Sequence, residues 1–156
     1  VTKPITFPAC EELVTQEEIT AHVGDGFIFI PGQSSEDGLL QSALGPSAKA
    51  ALDQAVQSSY CIWAIPQSDG STVLLSAELP DKARDTFLAE LRASDFTETE
   101  INGSPTFVWE TDQHYGPRFV WYGFSGNILV TSLALSPNGE IGKIALARIK
   151  EANPST

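Results

Sequence analysis

The sequence predicts an α+β fold, an antiparallel sheet built from hairpins with helices packed on one face. Three observations lead there. Short runs of β-branched and aromatic residues recur with Gly, Asn, Asp and Pro between them. Four segments carry helical periodicity with recognisable start or stop residues. Helices follow pairs of strands rather than alternating with single ones, which favours antiparallel pairing over parallel crossover units. At 156 residues, 42% of them hydrophobic, the chain has the length for one domain with a core of its own. That domain is expected to span residues 1–156, with an extended lead-in over 1–9 and a frayed tail over 153–156.

The first helix has a sharp beginning. Thr15-Gln16-Glu17-Glu18 reads as a capping box, with Thr15 as the cap and Glu18 reaching back to it, and Val14 and Ile19 stand at hydrophobic-staple spacing. Gly24 supplies the stop. A short strand follows over Phe27 to Ile30, ended by Pro31-Gly32, and then a polar loop around Gln33 to Gly38. Pro46 suits a first helical turn and opens a second helix reaching about Gln57, with a stripe of small residues, Ala48, Ala51 and Ala55. Strands over Tyr60 to Ile65 and Thr72 to Glu78 flank an Asp69-Gly70 hairpin signal. A third helix begins at Pro80-Asp81 and turns Ala83, Phe87, Leu88 and Leu91 inward.

Four more strands are expected over Phe96 to Ile101, Thr106 to Thr111, Arg118 to Phe124 and Ile128 to Leu135, and a last helix from near Asn138. Strand, hairpin, strand and helix thus occur twice, around Cys61-Ile62-Trp63 and around Val120-Trp121-Tyr122, which points to a possible internal duplication. The strand holding Phe119, Val120, Trp121, Tyr122 and Phe124 is apolar on both sides, whereas a half-buried strand alternates. Its second face therefore needs a cover, either the chain's own helices and loops or a partner or ligand.

Nine basic residues against twenty acidic ones leave a net charge of −11. Nucleic-acid binding depends on Lys and Arg neutralising phosphates, so no nucleic-acid partner is expected. The same charge disfavours anionic lipid surfaces and favours cationic or neutral partners. No apolar run reaches the roughly 18 residues of a membrane span. No basic-then-apolar leader opens the chain, so any export signal is expected to have been removed.

Cys10 and Cys61 are the only cysteines, and methionine is absent. The pair reads either as a disulfide or as two small buried thiols, and the disulfide is favoured. Closing a loop of about 50 residues stabilises a fold by about 4 kcal/mol on the chain-entropy model, and such a bond implies an oxidising, extracytoplasmic compartment. With neither cysteine in C-x-x-C spacing and only His22 and His114 to help, structural zinc is not expected.

Two groups of residues are candidates for function. Glu110, Asp112 and His114 share one side of an extended strand and offer two carboxylates and an imidazole to a cation, as in a metal-assisted hydrolase; the plainer reading is the solvated tip of a hairpin. Trp63, Trp109, Trp121 and Tyr122 lie on strands and form a candidate ligand-binding set. No catalytic residues are assigned and no cofactor is implied, since nucleophile-elbow, phosphate-loop and dinucleotide motifs are absent from the sequence.

The run Cys10-Glu11-Glu12-Leu13-Val14-Thr15-Gln16-Glu17-Glu18-Ile19, followed by Gly24 and by Cys61-Ile62-Trp63, resembles extracytoplasmic actinobacterial lipoproteins. The resemblance covers residues 10–65, and Gln16 stands where that family usually has proline. It implies a secreted or lipid-anchored, disulfide-bonded domain of the cell envelope and carries over no catalytic residue. The functional expectation is a non-enzymatic domain binding a protein or small ligand. The alternatives are the metal-assisted hydrolase and a structural or interaction module of a larger envelope protein.

Overall fold

The strongest local signal in the chain forms as written. In the computed structural model, which describes residues 4–32, 44–68, 70–113, 116–134 and 139–154, with side chains of 111–118 excepted, the Thr15 hydroxyl accepts from the Glu18 N–H at 3.3 Å. Glu18 Oε1 accepts in return from the Thr15 N–H at 2.9 Å. This box starts helix α2, Gln16–His22. The staple residues Val14 and Ile19 are completely buried. One extra turn of helix, α1 at Cys10–Leu13, precedes the box.

The remaining elements follow in order: β1 Ile28–Phe29, α3 Pro46–Asp53, β2 Gln57–Ala64, β3 Ser71–Glu78, α4 Asp81–Arg92, β4 Thr97–Ile101, β5 Ser104–Gln113, β6 Gly116–Ser125, β7 Ile128–Ala134 and α5 Glu140–Ala152. The strands form one seven-stranded sheet in the order β1-β2-β3-β7-β6-β5-β4, with every neighbouring pair antiparallel. Asn102 and Gly103 both have positive φ, 50° and 83°. They close the β4–β5 hairpin between the paired Ile101 and Ser104, the geometry for which an Asn-Gly step is suited.

The α+β class stands, and the helices are divided between both faces of the sheet rather than gathered on one. Alternation along each strand assigns the faces. On one, Ile62, Val73, Leu75, Val120, Tyr122, Phe124 and Leu133 pack with Ala48 and Ala51 of α3 and with Phe87 and Leu91 of α4. On the other, Cys61, Trp63, Leu74, Trp121 and Val130 pack with Leu13, Val14 and Ile19 of the N-terminal segment and with Ile141, Ala145 and Ile149 of α5. The two-sided apolar character of β6 has its explanation here: both of its faces are covered by the chain's own helices.

The repeated order of elements is present as β2–β3–α4 and β6–β7–α5, and the two copies have opposite hands. A rotation that exchanges the adjacent antiparallel strands β3 and β7 runs normal to the sheet and leaves each face on its own side. It would place both helices on one face, whereas α4 and α5 lie on opposite ones.

The chain ends also differ from expectation. Asn153, expected to fray, is buried. Its Oδ1 accepts from the Thr6 N–H at 2.8 Å, and its Nδ2 donates to Thr6 O and Ile149 O, both at 2.8 Å. One side-chain amide thereby satisfies both backbone groups of Thr6 and ties the lead-in to the last turn of α5.

Candidate functional site

The α3/α4 face carries an open cavity of about 270 Å³ lined by Pro46, Ala48, Phe87, Leu91, Phe96, Trp109 and Tyr122, with Ser47, Glu90, Ser94 and Asp95 among its polar groups. Its position follows from element lengths. Ala48 and Ala51 of α3 and Ala83 of α4 are buried small residues, so these helices can approach closely and cover the middle of the sheet. Helix α4 ends at Arg92, and Ser94 closes the turn: its hydroxyl donates to Leu91 O at 2.6 Å and accepts from the Phe96 N–H at 3.2 Å. This turn brings Phe96 down to the sheet. Strand β5 continues to Gln113, and Trp109 on it is 43% exposed.

Phe96 links the surface to the core. Its ring centroid lies 5.8 Å from that of Trp109 and 5.5 Å from that of Tyr122. Tyr122 meets Phe87 edge-on at 5.1 Å, and Phe87 meets Phe124 at 5.8 Å. Such tilted and edge-to-face contacts each add about 1 kcal/mol beyond area burial, so the inner wall is stiff. Burial pushes the Tyr122 phenol well above the ordinary tyrosine range, with the Thr131 hydroxyl opposing in part. The wall therefore remains uncharged across physiological pH.

The four aromatic residues expected to act together separate into two pairs. Tyr122 and Trp109 line the cavity. Trp63 and Trp121, 1% and 3% exposed, belong to the core on the opposite face. Trp63 packs there against Phe29, with centroids 6.1 Å apart. Trp121 is enclosed by three glycines: a Cβ built at Gly123, Gly139 or Gly142 would stand 2.3, 2.3 or 2.4 Å from its ring. Neither residue reaches the cavity, and for Trp121 alternation along β6 decides this, since 121 and 122 necessarily point to opposite faces.

Of the proposed cation set, Glu110 is exposed on β5. The side chain of Asp112 and the whole of His114 lie outside the described residues, so the trio's geometry is not part of the site. Among the described residues, no group of three His, Cys, Asp or Glu is arranged to hold a metal. Phe96, Phe87, Glu90 and Asp95 belong to the cavity and were not singled out as site residues by sequence reasoning. Phe87 was legible only as a buried helical position, and the signal for Phe96 was its place directly after the end of α4.

Cys10 and Cys61 form a disulfide, with Cα atoms 5.7 Å apart and a sequence separation of 51. It joins α1 to β2 on the α5 face. On the same face Arg148 of α5 forms a two-pronged ion pair with Glu18, its Nη2 donating to Oε2 at 3.0 Å, while its Nη1 donates to Leu13 O at 2.9 Å. Arg148 and the Thr15 cap together hold the Glu18 carboxyl down at about 2. Among the described residues, no helix is long and apolar enough to cross a membrane. No protein-family model matches the chain, and no curated protein matches it in sequence.

Proposed function

We propose that this chain is an extracytoplasmic binding domain of the cell envelope that takes a small ligand into the cavity between Trp109, Phe96 and Tyr122. The observation that carries the reading is Trp109, a large indole left 43% exposed at an aromatic-lined concavity while the other two tryptophans are sealed in the core. Ligand sites typically combine an apolar concave wall with a few polar groups at fixed positions. Here the wall is pre-formed by aromatic contacts, and Ser47, Glu90, Ser94 and Asp95 supply the polar groups. A volume of about 270 Å³ suits a ligand of roughly a dozen non-hydrogen atoms, at the lower edge of ligand-pocket sizes. The disulfide supports the compartment, since such bonds persist in oxidising surroundings, and the likeness of residues 10–65 to actinobacterial envelope lipoproteins agrees with it.

The test is a titration of uniformly ¹⁵N-labelled protein with one- and two-ring aromatic fragments, following the three indole N–H resonances. The expected result is saturable movement of the Trp109 signal, with those of Trp63 and Trp121 unmoved, and loss of the response in Trp109→Leu. Fragments that move all three signals alike, or none, would overturn the reading.

A further inference from the structure

We infer that the cavity selects small amphiphilic cations, molecules with an apolar or aromatic body and an ammonium or quaternary ammonium head. The inference rests on the binding role proposed above and names the ligand class. The lining divides by chemistry. Phe87, Leu91, Tyr122, Ala48 and Pro46 offer an apolar interior, whereas the charged groups among the lining residues are two carboxylates, Glu90 and Asp95. Both are exposed, so they stand at the mouth.

Among the described residues neither carboxylate is in an ion pair. The neighbouring cation, Arg92, is engaged elsewhere, with its Nη2 3.2 Å from Glu98 Oε2. Among the described residues no Lys or Arg lines the cavity. The half-exposed Trp109 indole adds a second attraction of the same sign, because an aromatic face draws a cation by its quadrupole, most strongly for tryptophan. The chain's net charge of −11 raises the local concentration of cations around it. A ligand with an apolar body and a cationic head satisfies the wall, the rim and the indole together.

Three probes of nearly one shape separate charge from size: benzyltrimethylammonium, its neutral isostere neopentylbenzene and the anion 4-tert-butylbenzoate. Each is titrated against the Trp109 indole resonance of the intact chain. The cation is expected to bind about tenfold more tightly than the neutral isostere, as a cation–π contact plus two carboxylates would give, and the anion to bind more weakly than either. Glu90→Gln/Asp95→Asn is expected to remove most of that preference, read as the ratio of the cation's affinity to the neutral isostere's. Added salt should narrow the preference in the parent chain. Equal binding of cation and neutral isostere would overturn the cationic selectivity and leave the binding cavity intact. A preference that survives in the double variant would overturn the assignment to Glu90 and Asp95. No movement of Trp109 with any probe would overturn both the selectivity and the binding role.

Discussion

The two faces of the sheet use the same raw materials, tryptophan, small residues and amphipathic helices, toward opposite ends. On the α5 face Trp121 is packed so closely that three glycines border its ring, and the disulfide and the Glu18–Arg148 ion pair tie α1, α2 and α5 to the sheet and to one another. On the α3/α4 face the small residues are alanines between helices, and Trp109 stands at the open cavity beyond them. Close packing makes the first face intolerant of added volume. The second is the face on which a ligand can add contacts without displacing any part of the core. An exposed tryptophan is therefore informative here because two others in the same sheet are sealed.

The sharpest way to break this contrast is to remove the covalent tie. Cys10→Ser/Cys61→Ser is expected to lose about 4 kcal/mol of unfolding free energy, measured by urea denaturation against the oxidised parent. Because the bond lies on the α5 face, fragment shifts at Trp109 should persist in whatever fraction remains folded. Loss of Trp109 binding in the folded variant would show that the two faces are coupled rather than separate.

A matched pair of glycine substitutions compares the faces directly. Gly142→Ala puts a Cβ 2.4 Å from the Trp121 ring, and overpacking of this kind should cost about 2–3 kcal/mol. Gly45→Ala, at the cavity, meets nothing within 4 Å and has an extended backbone that alanine adopts freely, φ −79° and ψ 175°. Its expected effect is within about 0.5 kcal/mol, the small preference for Gly at a helix cap being offset by reduced freedom in the unfolded chain. Equal costs in urea denaturation would refute the packing difference.

The smallest of the expected losses concerns the ion pair. Glu18 titrates at about 2 in the folded chain against 4.5 for the ordinary carboxyl. Its contribution is thus fully present above about pH 4.5 and is lost as pH falls toward 2. With the carboxylate side chain 25% exposed, solvent screening limits that contribution to about 1–2 kcal/mol. Glu18→Gln, which keeps an acceptor for the Thr15 N–H, should lower stability by that amount at pH 7. The variant and parent curves should converge near pH 2, and a gap that widens on acidification would contradict the assignment.

Much of the fold was legible because it is encoded by neighbours in sequence. Thr15 and Glu18 specify a helix start from residues three apart, and Asn102-Gly103 specifies a hairpin from two adjacent φ angles. Alternation along 119–124 showed that both faces of β6 had to be covered. The candidate site was legible only in part, because its members come from α3, the end of α4, the turn after it and two strands. Trp109 and Tyr122, which line the cavity, were among the aromatic candidates, yet nothing local separated them from Trp63 and Trp121. Glu90 and Asp95 were two acids among twenty.

By itself, the sequence determined the α+β class, the capped first helix, the hairpins, the strongly acidic charge and a cysteine pair suited to a single cross-link. These depend on short-range backbone preferences and on the period of apolar residues, both written along the chain. Only the tertiary structure decided which helix lies on which face, that Asn153 secures Thr6, and which tryptophan faces the cavity. Those outcomes depend on where separate elements end relative to one another in space. Trp109 stands at the open cavity because α4 stops at Arg92 while β5 runs on to Gln113, a difference in reach between elements that meet only when the sheet is assembled.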